Sequence, residues 1–568
     1  MSLRRPAFYL SLLLAIGTTG TARANPPDAG SLLNEQRQQG STLPSRLPKP
    51  DDGIAERATL TESGVKVTVK TITFSGATQL ATDAELQALV SGSIGKQLSF
   101  AELQTLADKV TAYLRDIKGY LLARAYLPKQ DVTEGSIEIA ILSGKLEQEI
   151  KINIKQPARI RQSVLAGIAG NAMDQTGAVR TNQIERAAIL MNDLPGVTVK
   201  ASLEPGSAPD TTRLILDASE GNLFGGALYL DNHGDRNTGD LRATGQLAVY
   251  DPSGFGDQIT LAVTGAEGSI QGRAGYSIPL GSSGLNLQLN WSTMYYKLGK
   301  EFASLDLNGN SNTTGIGLTY PLMRSRTTSI WSGLNFEYLY LEDKTGSTTY
   351  RKRNIPVANT DLTANLYDTW LGGGMSNLRA ALYYGSLDVK NSDPTIRTNN
   401  GGFFRATYSL SRLQRVVEQL TVFASLRGQF AGSKLDSSQK FILGGPGGVR
   451  AYPVGEASGD EGHAATLEAR YELPFMPKWF STQLVGFVDT GWIKLNHSGG
   501  TVNTATGKND YQISGIGTGF NIAGNGIYTM QAYYAHSLGD NPGRNVNGTN
   551  ADNRGASDRV WLQATVRF

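Results

Sequence analysis

From Leu223 to Phe568 apolar and polar residues alternate with a period of two, in stretches of about 10 to 15 residues separated by turns rich in Gly, Asn, Asp and Ser. Alternation of this kind belongs to strands with one apolar and one polar face. It predicts strands near 223–232, 240–250, 257–266, 271–280, 285–297, 310–321, 328–342, 353–371, 374–388, 402–411, 418–431, 463–473, 480–495, 509–523, 526–537 and 558–568. That is sixteen, and an even count suits a closed antiparallel barrel. In the last of them Val560, Leu562, Ala564, Val566 and Phe568 point one way, while Arg559, Trp561, Gln563, Thr565 and Arg567 point the other. A lipid-facing wall and a polar lumen produce that pattern. A soluble sandwich strand does too, but sixteen strands with no cysteine and an aromatic last residue fit a membrane barrel better.

Before Leu223 the period lengthens. Thr82-x-x-Glu85 and Ser99-x-x-Glu102 read as capping boxes that open two helices. In the second helix Leu103, Leu106, Val110, Leu114 and Ile117 recur at three and four, and Gly119 ends it. A strand from Val65 to Gly76 precedes them, and strands 120–128 and 136–142 follow. The same β-α-α-β-β order recurs about 80 residues later, with a strand at 146–154, helices at 158–168 and from Asn182-x-x-Glu185 to Leu194, and strands at 197–203 and 213–218. Two mixed α+β domains, 65–144 and 145–221, therefore precede a barrel at 222–568.

Ahead of these, Asp28–Gly40 has helix formers and a glycine stop, with Leu32 and Leu33 its only substantial apolar residues. So polar a helix suits a water-filled space; a solvated terminus is the other reading. Residues 41–64, with Pro44, Pro48 and Pro50, read as an extended tether. The first 24 residues have a basic head at Arg4 and Arg5, an apolar stretch from Phe8 to Ile16, and the small-x-small end Ala22-Arg23-Ala24. They are a signal peptide, so the chain is exported. After it no run of about 18 apolar residues follows, and entry into a membrane requires a closed barrel.

Composition removes other chemistries. Cysteine is absent, which excludes disulfides, thiolate metal sites and cysteine nucleophiles. The formal charge of +3 gives no argument for nucleic acid. His233, His463, His497 and His536 are scattered without metal-ligand spacing, and there is no GxxxxGK[ST] motif. No cofactor, metal, nucleotide or enzymatic activity is expected.

The informative polar residues lie around a glycine-rich stretch, Gly444 to Gly462. With the mixed domains on the periplasmic side, the first barrel strand runs outward, and the connection 432–462 between strands eleven and twelve is the sixth extracellular loop. Arg450 stands in it, a permanent cation with five donors. If the loop folds inward Arg450 needs a carboxylate, and Asp489 in Gly486-Phe-Val-Asp-Thr-Gly491 is the candidate, sharing a strand face with Phe487. The competing reading leaves Arg450 in solvent and Asp489 facing lumen water.

These residues carry a family likeness. Two β-α-α-β-β units before a barrel of about sixteen strands resemble the Omp85 superfamily, and specifically the two-partner secretion transporters that export haemolysins and filamentous haemagglutinin. Val449-Arg450-Ala451-Tyr452 resembles the Val-Arg-Gly-Tyr tip of that family's inward-folded sixth loop, and Phe487-Val488-Asp489 its barrel-strand partner motif. Gly119-Tyr120, Ala123 to Pro128 and Gln130-Asp131 look like the first polypeptide-transport-associated (POTRA) domain, and Asp28–Gln39 like the plug helix, with Leu32, Leu33, Gln36 and Gln39 its candidate packing residues. Ala451 departs from the pattern, standing where the family has Gly. The resemblance implies an outer-membrane transporter with its POTRA domains in the periplasm. It exports an unfolded secreted partner (an adhesin, haemolysin or contact-dependent toxin) without nucleotide, surrounded by outer-membrane lipids. An Omp85-type assembly factor is the alternative, and a passive porin a more distant one.

Overall fold

The computed structural model describes residues 26–39, 66–147, 150–173, 180–205, 207, 211–391, 400–477, 479–500 and 502–568. The expected signal peptide (1–24) and tether (41–64) lie outside the described residues. Sixteen antiparallel strands, from Phe224–Asp231 to Asp558–Arg567, close into a barrel in which each pairs with its sequence neighbours and the last pairs with the first. All sixteen alternating stretches are strands. The outer wall is made of their exposed apolar members, among them Leu228, Leu261, Leu362, Leu467, Val488 and Leu562. Lipid on one side and water on the other enforce the two-residue period. No helix among the described residues is long and apolar enough to cross a membrane.

The first mixed unit has its two helices at Asp83–Val90 and Phe100–Ala112, each opened by the expected capping box. Leu103, Val110 and Leu114 are buried against Ile137, Ile139 and Ile141 of the sheet. Three expectations change in detail. The strand from Val65 is broken into Lys66–Thr68 and Thr71–Gly76, and the first piece pairs with Gln97–Ser99. The strand expected at 120–128 shrinks to Arg124–Tyr126. Ile117 is 72 % exposed, because the helix ends in a wider π turn at Tyr113–Ile117 that rotates its side chain off the apolar face.

In the second unit, helices Gln162–Ala172 and Thr181–Asn192 pack on strands Val197–Pro205 and Thr211–Glu220. Its second helix is capped two residues earlier than Asn182 would place it: the Arg180 N–H donates to the Gln183 side chain at 3.0 Å. This unit docks on the periplasmic rim. The Arg161 guanidinium lies 3.8 Å from the Phe255 ring, the Arg161 N–H donates to Gly254 O at 3.1 Å, and Arg324 pairs with Asp193.

Candidate functional site

The connection between strands Leu420–Ala431 and Glu461–Glu472 turns into the lumen instead of reaching outward. Within it Phe441–Ile442 and Ser458–Gly459 pair as a short antiparallel ribbon. Leu443, Val449, Ala451 and Tyr452 bury themselves against Val485, Phe487, Ile493, Ile513 and Ala535 of the inner wall. A glycine-rich loop can lie this close to the strands because little side chain intervenes. Gly515 faces the tip, and a methyl group placed on it would come 2.5 Å from the Ala451 Cβ. Ala451 itself is not among the residues with positive φ, so alanine costs no backbone strain there.

Arg450 is 5 % exposed and Asp489 1 %. Its Nε and Nη2 donate to the two Asp489 carboxylate oxygens, each at 2.8 Å, and its backbone N–H adds a third bond at 3.2 Å. Nη1 donates to Glu468 Oε1 at 2.6 Å, and Glu468 is shared with Arg470 at 2.7 Å. Two guanidiniums thus meet two carboxylates, and the buried cluster is neutral. Phe487, two residues from Asp489 on the same face, puts its ring centroid 3.4 Å from the Arg450 guanidinium carbon, a cation–π contact strengthened by burial. Trp561 Nε1 donates to Arg450 O at 2.7 Å, fastening the tip to the last strand. The residues singled out in the sequence therefore converge, and the solvated reading of Arg450 does not describe this structure.

The polar helix, Ala29–Gln39, also lies in the lumen. Leu32 and Leu33 are buried with Tyr296, Leu339, Leu341, Ile355 and Phe403 of the strands. Gln36 carries a buried Oε1 without a hydrogen-bond partner; the side chain of Gln39 lies outside the described ones. One face meets loop six, where Asn34 Nδ2 donates to Lys440 O at 2.6 Å and Gln38 Nε2 to the same oxygen at 3.0 Å. At the outer end Asp28 caps the helix by accepting the Ser31 N–H at 2.8 Å and pairs with Arg351 and Arg353. Asp343 accepts the Ala29 N–H at 2.9 Å and joins both arginines, and Asp436 pairs with Arg353 at 2.9 Å.

Sequence reasoning passed over this second cluster and over Glu468. Arg351 and Arg353 are two apart on a strand and share a face, as do Glu468 and Arg470. That spacing signalled inward charge, but not which residue completes it.

A POTRA domain profile of the ShlB type matches residues 67–144, and the profile of haemolysin secretion/activation proteins ShlB/FhaC/HecB matches residues 210–522. The chain belongs to the ShlB/FhaC/HecB family. Its relatives include the heme/hemopexin transporter protein HuxB of Haemophilus influenzae, 26% identical over 556 residues and 95% of either chain. The outer membrane transporter CdiB of Escherichia coli is 25% identical over 477 residues, 81% of this chain and 78% of that one. In fold, the solved CdiB from Escherichia coli superimposes over the full length of both chains with a TM-score of 0.69 at 19% identity. This member of the ShlB/FhaC/HecB family is a two-partner secretion transporter of the Omp85 superfamily: an outer-membrane barrel with periplasmic POTRA domains that acts with a secreted exoprotein.

Proposed function

We propose that the lumenal helix is the removable plug of this transporter and that loop six is the lock that stays. The observation that carries the reading is the helix's contact surface, which inside the barrel is mostly polar. Apart from Leu32 and Leu33 it is held by Asp28, Asn34, Arg37 and Gln38, whose partners are side chains and loop carbonyls that water can replace. An element attached in this way leaves without exposing a large apolar face.

Export then follows in steps. An unfolded exoprotein docks an extended segment on a free strand edge of the POTRA domains, where main-chain hydrogen bonds give affinity and alternate side chains give selectivity. Thr71–Gly76 and Val197–Pro205 are edge strands of the two sheets and offer such edges. The helix withdraws, and the exoprotein passes outward as an extended chain. No nucleotide enters the scheme; folding of the cargo outside supplies the direction. The family resemblance leaves an adhesin, a haemolysin or a contact-dependent toxin as the exoprotein, and the name of HuxB, a heme/hemopexin transporter, adds a cargo linked to heme or hemopexin.

Deleting residues 28–39 should raise conductance in planar bilayers while the barrel still assembles; unchanged conductance would overturn the plug reading. Deleting the whole protein should remove one large exoprotein from the medium. General misassembly of outer-membrane proteins would instead favour an assembly factor.

A further inference from the structure

The plug helix and loop six do not fill the lumen evenly. The helix packs toward strands Asn286–Lys297, Leu307–Arg324, Thr328–Thr345 and Thr348–Asp368. Loop six covers strands Glu461–Glu472, Phe480–Lys494 and Asp510–Gly524. Between the helix and the early strands remains a cavity of about 580 Å³, lined in part by Leu33, Arg37, Gln246, Gln271, Arg273 and Arg567. Arg37 is paired with Glu337 at 3.2 Å. Among the described residues Arg273 has no carboxylate within ion-pair distance, and the charges acting on it are two further cations, Arg37 and Arg242. Beside it Gln271 is 4 % exposed with an Nε2 donor that has no partner.

Across the helix two more guanidiniums rest on neutral acceptors. Arg405 donates to Gln439 Oε1 and Gln429 Oε1, both at 3.2 Å, and stacks 3.6 Å from the Tyr383 ring centroid. Arg427 donates to Ile442 O at 3.0 Å and to Gln38 Oε1 of the helix at 3.4 Å. Lumen carboxylates outside the two clusters already described include Glu337, which pairs with Arg37, and Glu35 of the helix; among the described residues none lies within ion-pair distance of Arg273, Arg405 or Arg427. Arg405 and Arg427 stand on adjacent strands, and Arg273 on a strand six places away around the barrel, so their charges face the space that the helix occupies from two sides.

We propose that these arginines form an anion-selective throat, with Arg273 its freest member and chloride and carboxylate groups its ligands. Uncompensated cations in a confined passage raise the local concentration of anions and exclude cations. A guanidinium can also hold a carboxylate through two parallel bonds, which suits it to acidic side chains of a chain in transit. The proposal rests on the plug reading only where the helix is removed.

The test is the reversal potential of the intact protein and of the 28–39 deletion in planar bilayers under a KCl gradient. Both should reverse on the chloride side, and R273Q should shift the potential toward zero, with R405Q and R427Q shifting it further. Poly-glutamate should block current at lower concentration than poly-lysine. Since Arg273 holds no carboxylate, R273Q keeps the fold, checked by heat-modifiable migration. Reversal on the potassium side, or an R273Q potential equal to that of the parent, would overturn the throat; unchanged conductance after the deletion counts only against the plug.

Discussion

Replacing Arg450 with Ala removes three side-chain hydrogen bonds to carboxylates that are 1 % and 2 % exposed. The two acceptors are not left in the same position. Glu468 keeps Arg470, whereas Asp489 keeps the Thr466 hydroxyl at 2.9 Å and the backbone N–H of residue 450. Breaking a buried pair from one side costs about 3–5 kcal/mol, and here most of it falls on Asp489. Spread over the docking of loop six, that lowers the docked-to-undocked ratio roughly 10²- to 10⁴-fold, while the barrel's strand ladder is untouched. R450A should therefore assemble, migrate as a heat-modifiable barrel, expose loop six to added protease and lose secretion. R450K should fall between, because one ammonium cannot span both Asp489 oxygens and Glu468. Adding D489N to R450A removes the stranded charge and should restore part of the protease protection. Near-normal secretion and protection in R450A, or a double variant worse than the single one, would refute the assignment of the lock to this pair.

G515A should loosen the loop by about 1–3 kcal/mol through overpacking, since its methyl group would meet Ala451 at 2.5 Å, and A451G should rescue it; protease sensitivity of loop six reads both. Glu35 is 6 % exposed in the helix without an ion pair among the described residues, and a buried carboxylate without a counter-ion costs several kcal/mol, so E35Q should seat the helix more firmly and lower the open-channel conductance. In the first extracellular loop, burial first, then Asp240 and Asp552, push the Asp235 carboxyl up to about 6 although Asn237 donates to it. Its folded form binds the proton more readily than the unfolded one, so this turn should be firmest at acid pH and loosen as pH rises from about 4 to about 6; hydrogen exchange of residues 232–241, corrected for intrinsic rate, measures it, and greater protection at neutral pH would reverse the sign.

The barrel was legible because lipid imposes its period on every strand, and the error at each end was a few residues. The inward turn of loop six was less so: from Gly444 to Gly462 the residues carry almost no hydrophobic pattern, and only Arg450 and the face shared by Phe487 and Asp489 pointed into the lumen. Glu468 was missed because Glu468 and Arg470 look like any two inward charges on a strand. The socket of the helix was missed for a different reason, since Asp28 meets Arg351 and Arg353 across more than 300 residues of chain, and no local spacing announces such a contact.

Charge balance then separates the two inward elements. Around loop six, Arg450 and Arg470 face Glu468 and Asp489. Pulling the loop out breaks a neutral set and strands Asp489. Around the helix, Arg351 and Arg353 face Asp28, Asp343 and Asp436, one carboxylate more than the cations. Withdrawing Asp28 leaves two against two, a socket that is already neutral. The same withdrawal carries the Asp28 cap along with the helix, releases the Ala29 N–H from Asp343 and frees Gln38 from Arg427 and Lys440 O, contacts that water can replace. Of two segments buried in one lumen, the helix is therefore the one whose departure leaves the Arg351/Arg353 socket neutral, with half-exposed Glu337 losing Arg37, and the loop is the one whose departure strands a buried carboxylate.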